Sequence, residues 1–242
     1  MNLYKIHPIA VVLAALLFTL LSAGESAEAQ SALFNVPTTD VMPTGEAYLE
    51  ADFDSHLSGY ESGGYQSYGA VVLYGARRRM EVGLNVYYTR LGDSARSAEL
   101  QPNVKWQVYD SEGLGVAAAV GGVIYVPTSG RAMRDAFGNV YATASKRLRG
   151  RFGPRLTGGG YALVGRGRGA GSAAGALFGY EQPVHTRLTL IADWNAGRNR
   201  FGYAAAGLGL TLPRRTYLYT AYYFGNEGRG NNSLGIYYGL SF

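Results

Sequence analysis

Beyond residue 44 the chain repeats one pattern: large apolar side chains take every second position, and polar or small ones fill the gaps. In GEAYLEADFD, Ala47, Leu49, Ala51 and Phe53 alternate with Glu46, Tyr48, Glu50, Asp52 and Asp54. In MEVGLNVYYT, Met80, Val82, Leu84, Val86 and Tyr88 alternate with Glu81, Gly83, Asn85, Tyr87 and Thr89. LQPNVKWQV sets Leu100, Val104, Trp106 and Val108 against Gln101, Asn103, Lys105 and Gln107. RLTLIADWNA sets Leu188, Leu190, Ala192, Trp194 and Ala196 against Arg187, Thr189, Asp193 and Asn195, with Ile191 the exception. A period of two held over about ten residues predicts a strand with one apolar and one polar face. No window carries a comparable helical period.

Turn residues divide the chain into about twelve such segments, at roughly 45–55, 64–75, 80–90, 98–109, 114–126, 139–148, 155–165, 173–182, 187–196, 201–212, 216–225 and 233–242. Tight connections such as ARRR, DSEG, PVHT and PRR alternate with Gly- and Ser-rich pieces such as LSGYESGG, RGRGAGS and GNEGRGNN. Two classes of connection in alternation are what an up-and-down meander produces. The expected fold is therefore all-β.

A secreted sandwich and a transmembrane barrel both use alternating strands, and they differ in which face is apolar. Strands of roughly 9–11 residues throughout, an even count and aromatic residues near strand ends fit an antiparallel transmembrane β-barrel. The aromatics in question are Tyr68, Tyr74, Tyr88, Trp106, Tyr109, Tyr125, Tyr180, Trp194 and Tyr223. Charged residues make up 16%, below the roughly 25% of soluble domains. The absence of cysteine excludes disulfides, thiolate zinc sites and lipidated cysteine. The net charge of +5 is scattered over turns and loops, which speaks against nucleic acid as a partner.

Export is expected from the N-terminus. Lys5 precedes an apolar run from Ile9 to Leu21, and AEA at 27–29 matches a small-x-small cleavage pattern. The run is too short to span a bilayer. Residues 1–29 are thus expected as a cleaved signal peptide, with the mature start near Gln30, 30–44 as a periplasmic segment and 45–242 as the barrel.

The chain ends on NNSLGIYYGLSF, with Phe242, Leu240, Tyr238, Ile236 and Leu234 in strict alternation. This end resembles the terminal strand of Gram-negative outer-membrane proteins, in which a final Phe and alternate apolar residues form a sorting signal. The resemblance implies residence in the cell outer membrane and the barrel-assembly machinery as a partner during biogenesis, with Phe242, Leu240 and Tyr238 carrying the signal. FNVPTTDVMPTGEAYLE is similar to the start of YjbH-type exopolysaccharide-associated barrels, and the overall plan resembles the transporters of the MetA-pathway of phenol degradation.

By parity, Glu46, Glu50, Asp52, Asp54, Glu81, Glu99, Glu181 and Asp193 face inward, with Lys105 and Arg187 as the inward bases. A barrel of twelve strands lies between those filled by side chains and those holding an aqueous channel. An acidic lumen favours cations or neutral polar solutes, so a narrow, porin-like pore or transporter for small polar or cationic solutes is expected. The same charges also fit a salt-bridged filling, which would make the barrel structural or membrane-tethering. Inward Gly115, Ala117, Ala119, Gly121, Gly207 and Gly209 argue for remaining space.

DFDSHLS sets Asp52, Asp54 and His56 on one strand face, with Ser58 beyond. Its pieces resemble the carboxylates and Asp–His couple of omptin proteases and the H-x-S of outer-membrane phospholipase A, which implies a hydrolase as a second alternative. Both families draw catalytic residues from more than this stretch, so the expectation is not an enzyme. GRGRGAG lacks the Lys-Ser/Thr ending of a phosphate-cradling loop. No His, Asp and Glu cluster has metal-ligand spacing, and no cofactor is expected. Arg77, Arg78, Arg79, Lys146, Arg147, Arg149, Arg151, Arg214 and Arg215 gather at one expected rim; Arg131, Arg134, Arg166, Arg168, Arg198 and Arg200 gather at the other. Since arginine pairs with phosphate, outer-membrane lipids and lipopolysaccharide are expected partners.

Overall fold

The computed structural model describes residues 31–91, 95–129 and 135–242. The expected signal peptide, Gln30, Arg131 and Arg134 lie outside the described residues. The strands are β1 (Ala47–His56), β2 (Tyr65–Arg77), β3 (Met80–Leu91), β4 (Ala95–Ser111), β5 (Val116–Ser129) and β6 (Phe137–Arg147). They continue as β7 (Arg155–Val164), β8 (Ala174–His185), β9 (Leu188–Asn195), β10 (Tyr203–Leu212), β11 (Thr216–Gly225) and β12 (Ser233–Ser241). Each strand pairs antiparallel with its sequence neighbours, and β1 pairs with β12, which closes the barrel. Closure leaves no strand edge to be satisfied by solvent, a requirement in lipid.

The seam is held to its last residue. Phe242 and Ala47 exchange backbone hydrogen bonds of 2.8 and 3.0 Å. The terminal alternation is therefore that of a strand with a partner on each side, and Phe242, Leu240, Tyr238 and Ile236 point outward.

Alternation sorts the side chains as the sequence implied. Leu49, Leu84, Val86, Leu100, Val104, Leu190 and Trp194 cover the exterior, whereas Asp52, Glu81, Glu99, Lys105 and Asp193 are buried inside. Ile191, the exception in its segment, is also inside. Two members of the expected outer aromatic set are corrected: Tyr125 and Tyr223 face the lumen, and their neighbours Ile124, Tyr222 and Phe224 face out. In β4 a bulge between Gln107 and Tyr109 shifts the register, so that Val108 and Tyr109 both lie on the exterior.

Two of the expected inward glycines, Gly121 and Gly209, lie under tyrosine rings rather than beside open space. A Cβ on Gly69, Gly121 or Gly209 would collide with the ring of its cross-strand partner, Tyr87, Tyr141 or Tyr219. Gly175 stands in the same relation to Tyr161. The glycines are floors on which tyrosine rings rest. Gly115, expected in the wall, lies in the β4–β5 turn at φ 62°.

Candidate functional site

Residues 31–44, expected outside the barrel, occupy its interior and leave it at the end where Phe242 and the tight turns lie. Thr44 bridges to Gly75, and Gly45 N donates to Gly75 O at 2.8 Å. The segment then crosses the lumen and folds back on itself, with Ala32 bridging to Pro37 and Leu33 N donating to Val36 O at 2.9 Å. Leu33, Val36, Thr38, Thr39 and Met42 are buried. A lumen wall rich in charge needs partners in a space with little water, and this segment supplies them.

Asp193 is the main anchor. The amides of Phe34, Asn35 and Val36 donate to its Oδ2 at 3.0, 2.6 and 2.9 Å, and Asn35 Nδ2 donates to its Oδ1 at 3.2 Å. Three successive amides around one carboxylate form a backbone nest, here occupied by the protein's own anion. Across the barrel, Glu81 and Lys105 form an ion pair of 3.2 Å, each 2% exposed. Met42 N donates to Glu81 at 2.9 Å, and Ser31 Oγ donates to the same carboxylate. Lys105 Nζ donates to the Ser31 carbonyl at 2.7 Å. Thr39 and Ser145 hydroxyls lie 2.6 Å apart, and Gln107 donates to the Thr39 carbonyl at 3.1 Å.

Arg155, which the sequence reading did not single out, sits at the base of β7 between Asp40 of the segment and Glu181 of β8. Its alternation with Leu156 was the available signal: Arg155, Thr157, Tyr161 and Leu163 face inward and Leu156 outward. Arg200, expected in an outer loop, turns into the lumen mouth. It pairs with Glu99 at 2.9 Å and lies about 5 Å from the rings of Tyr125, Phe137 and Phe201. Glu46 lies just before β1 and pairs with Arg215 at the opposite rim. Arg187 is buried.

The remaining site residues form a row on β1. Glu50 accepts from Tyr48 at 2.6 Å, Asp52 from Tyr87, and Asp54 from Tyr237 at 2.5 Å. His56 does not engage Asp54; its Nδ1 faces the Asn232 carbonyl, and its ring stacks on Tyr65. The row lines a cavity of about 1250 Å³ that reaches from the outer mouth to residues 31–37. A second cavity of about 200 Å³, lined by Asp40, Met42, Tyr217 and Tyr219, lies on the other side of the segment. Among the described residues no group of three or more His, Asp or Glu is placed to hold a metal ion.

No protein-family model matches the chain, and no curated protein sequence matches it. Solved structures do. An outer membrane channel from Pseudomonas putida F1 superposes with a TM-score of 0.54 at 11% identity, covering 84% of this chain and 98% of that one. Outer membrane phospholipase A from Escherichia coli matches at TM-score 0.46 and 14% identity, covering 90% and 98%. Omp33 from Acinetobacter baumannii matches at 0.42 and 8%, covering 81% and 97%. The fold is that of the bacterial outer-membrane barrels. The apolar exterior agrees: with Leu, Val and aromatic side chains outward on every strand pair and Asp52, Glu81, Glu99, Lys105 and Asp193 inside, the surface suits lipid rather than water, and the outer membrane is its place.

Proposed function

We propose that this barrel is a narrow outer-membrane channel for small polar or cationic solutes, closed here by residues 31–42 and opened when they leave the lumen. The observation that carries the reading is that two cavities, about 1250 and 200 Å³, are both lined by this segment, the larger by residues within 31–37 and the smaller by Asp40, Val41, Met42 and Pro43. The wall of the larger one carries Glu50, Asp52 and Asp54, which supports a preference for cations. Because the attraction is electrostatic, that preference should shrink as salt rises and the Debye length falls from about 10 Å at 0.1 M to 3 Å at 1 M.

The energetics support a displaceable segment. Burying Leu33, Val36 and Met42 contributes roughly 1.5–3 kcal/mol each, and hydrogen bonds to a charged carboxylate about 1.5–3 kcal/mol each. Ordering each residue of the segment costs roughly 1–2 kcal/mol. These opposing quantities are of similar size, so neither state is remote from the other.

The test uses the absence of native cysteine. Thr39→Cys with Ser145→Cys joins two side chains whose hydroxyl oxygens are 2.6 Å apart. In planar bilayers the oxidised protein should be silent, and reductant should restore conductance. Equal conductance before and after reduction would mean that the segment does not gate the path. Silence of both the reduced and the unmodified protein would instead favour a structural barrel. We further assign the terminal strand, with Phe242, Leu240 and Tyr238 facing lipid, as the part read by the barrel-assembly machinery, and the exposed rim arginines as contacts for lipid phosphates.

A further inference from the structure

The lumen carboxylates fall into two sets. Glu81 has Lys105, Glu99 has Arg200, Glu181 has Arg155, Glu46 has Arg215, and Asp193 has its three amides. Glu50, Asp52 and Asp54 have tyrosine hydroxyls and no basic partner among the described residues. The segment in the lumen bonds to β3, β4, β6, β7 and β9; it meets β2 at its base, where Thr44 bridges to Gly75, and among the described residues it donates to none of Glu50, Asp52 and Asp54.

Asp52 adds a second, independent observation. The residue is 6% exposed and lines the large cavity, yet beyond the Glu50 carboxyl beside it no described residue offers its Oδ1 a donor. A buried carboxylate oxygen without a donor is costly, and a donor arriving from the cavity relieves that cost.

The chemistry of the donor follows from the spacing. Glu50 and Asp54, four residues apart on one strand, are separated by about 14 Å at the backbone, and among the described residues no group of three or more His, Asp or Glu is placed to hold a metal ion. Tyr48, Tyr87, Tyr223 and Tyr237 line the same cavity, and aromatic faces attract organic cations. A flexible chain carrying ammonium groups a few carbons apart meets both demands, since each group can reach a carboxylate while the methylenes lie along the rings.

We propose that Glu50, Asp52 and Asp54, with the tyrosines beside them, form a binding site for linear aliphatic polyamines along the β1 wall of the large cavity. The proposal rests on the channel reading for its biological sense, but binding requires neither transport nor movement of the inner segment.

Calorimetric titration of the folded protein in detergent with spermidine tests it. Saturable binding is expected, weakened about tenfold or more in a Glu50→Gln, Asp52→Asn, Asp54→Asn variant, through loss of charge-assisted hydrogen bonds. Glu112→Gln, in the opposite turn, should bind as the unmodified protein does. Magnesium chloride at the same concentration should not displace spermidine; displacement would mean a diffuse field rather than a site and would overturn the proposal. So would equal affinity in the triple variant, its fold verified by heat-modifiable migration. The oxidised Thr39→Cys, Ser145→Cys protein separates the two readings: binding without conductance under any condition removes the channel and keeps the site, and conductance without binding does the reverse.

Discussion

Replacing Asp193 with Asn should unfasten the inner segment while leaving the barrel intact. In the native protein one ionised carboxylate accepts three backbone amides at 2.6–3.0 Å and the Asn35 side chain at 3.2 Å. Asparagine keeps the shape and one acceptor oxygen but loses the charge. Charge-assisted hydrogen bonds are roughly twice as strong as neutral ones, so each of the three amide bonds loses about 1 kcal/mol, or about 3 kcal/mol in all. The Asn35 amide group also meets a donor where it had an acceptor. A change of 1.4 kcal/mol is tenfold in an equilibrium constant, so the displaced state should become about a hundredfold more populated. Single-channel recording on reconstituted protein reads this directly as more frequent or longer openings, at unchanged unitary conductance. Asp193 is inside the lumen and pairs through its backbone as any strand residue does, so heat-modifiable migration should stay normal. A properly folded Asp193→Asn barrel that opens no more often than the unmodified protein would refute the anchoring role and, with it, the energetic case for a displaceable segment.

Arginine at Leu84 or Leu190, both on the exterior, should cost about 2–4 kcal/mol if near mid-bilayer, whereas arginine at Asn85, which lines the cavity, should be tolerated; folding titrations into lipid vesicles compare them, and equal costs would contradict the assigned faces. Deleting Phe242 removes the backbone pair with Ala47 and a 58%-exposed lipid-facing ring. Export should persist while membrane yield falls, and an unchanged surface yield would sink the sorting role. Lys105→Met strands the Glu81 carboxylate in a site where both side chains are 2% exposed, and breaking such a pair costs about 3–5 kcal/mol; an unchanged midpoint in urea unfolding would show that water reaches Glu81.

The strand plan was legible because lipid imposes it. Every outward position must be apolar, so a strand such as β3 or β9 announces both its length and its face. Legibility failed where both faces carry the same kind of residue. In VAAAVGGVIYVP the alternation vanishes, and Tyr125 could be read on either side. In TYLYTAYYFG aromatics fall on both faces, so the pattern does not separate Tyr223, which faces the lumen, from Tyr222 and Phe224, which face out. The acidic lining was legible from parity alone, yet its division into paired and unpaired carboxylates was not, because the partners come from distant strands: Arg200 is 101 residues from Glu99. The inner segment has no periodicity, and its place is set by contacts such as that between Asn35 and Asp193, 158 residues apart. The glycines looked like spare volume because their covering rings stand on the adjacent strand.

Those ring-on-glycine contacts also act as a proofreading device for assembly. Sliding β3 along β2 by two residues preserves the inward and outward faces, so hydrophobicity alone does not forbid it. It would, however, bring Tyr87 from Gly69 to Ser67 or Val71, where a side chain occupies the place of the ring. The same slip between β5 and β6 would set Tyr141 against Ala119 or Val123. Each such notch accepts its ring in one alignment only, and notches recur around the circumference at β7–β8 and β10–β11. A cylinder built of near-equivalent hairpins thereby acquires a keyed staircase, in which the shear of the closed wall is written by the placement of glycine rather than by the apolar pattern that drives insertion.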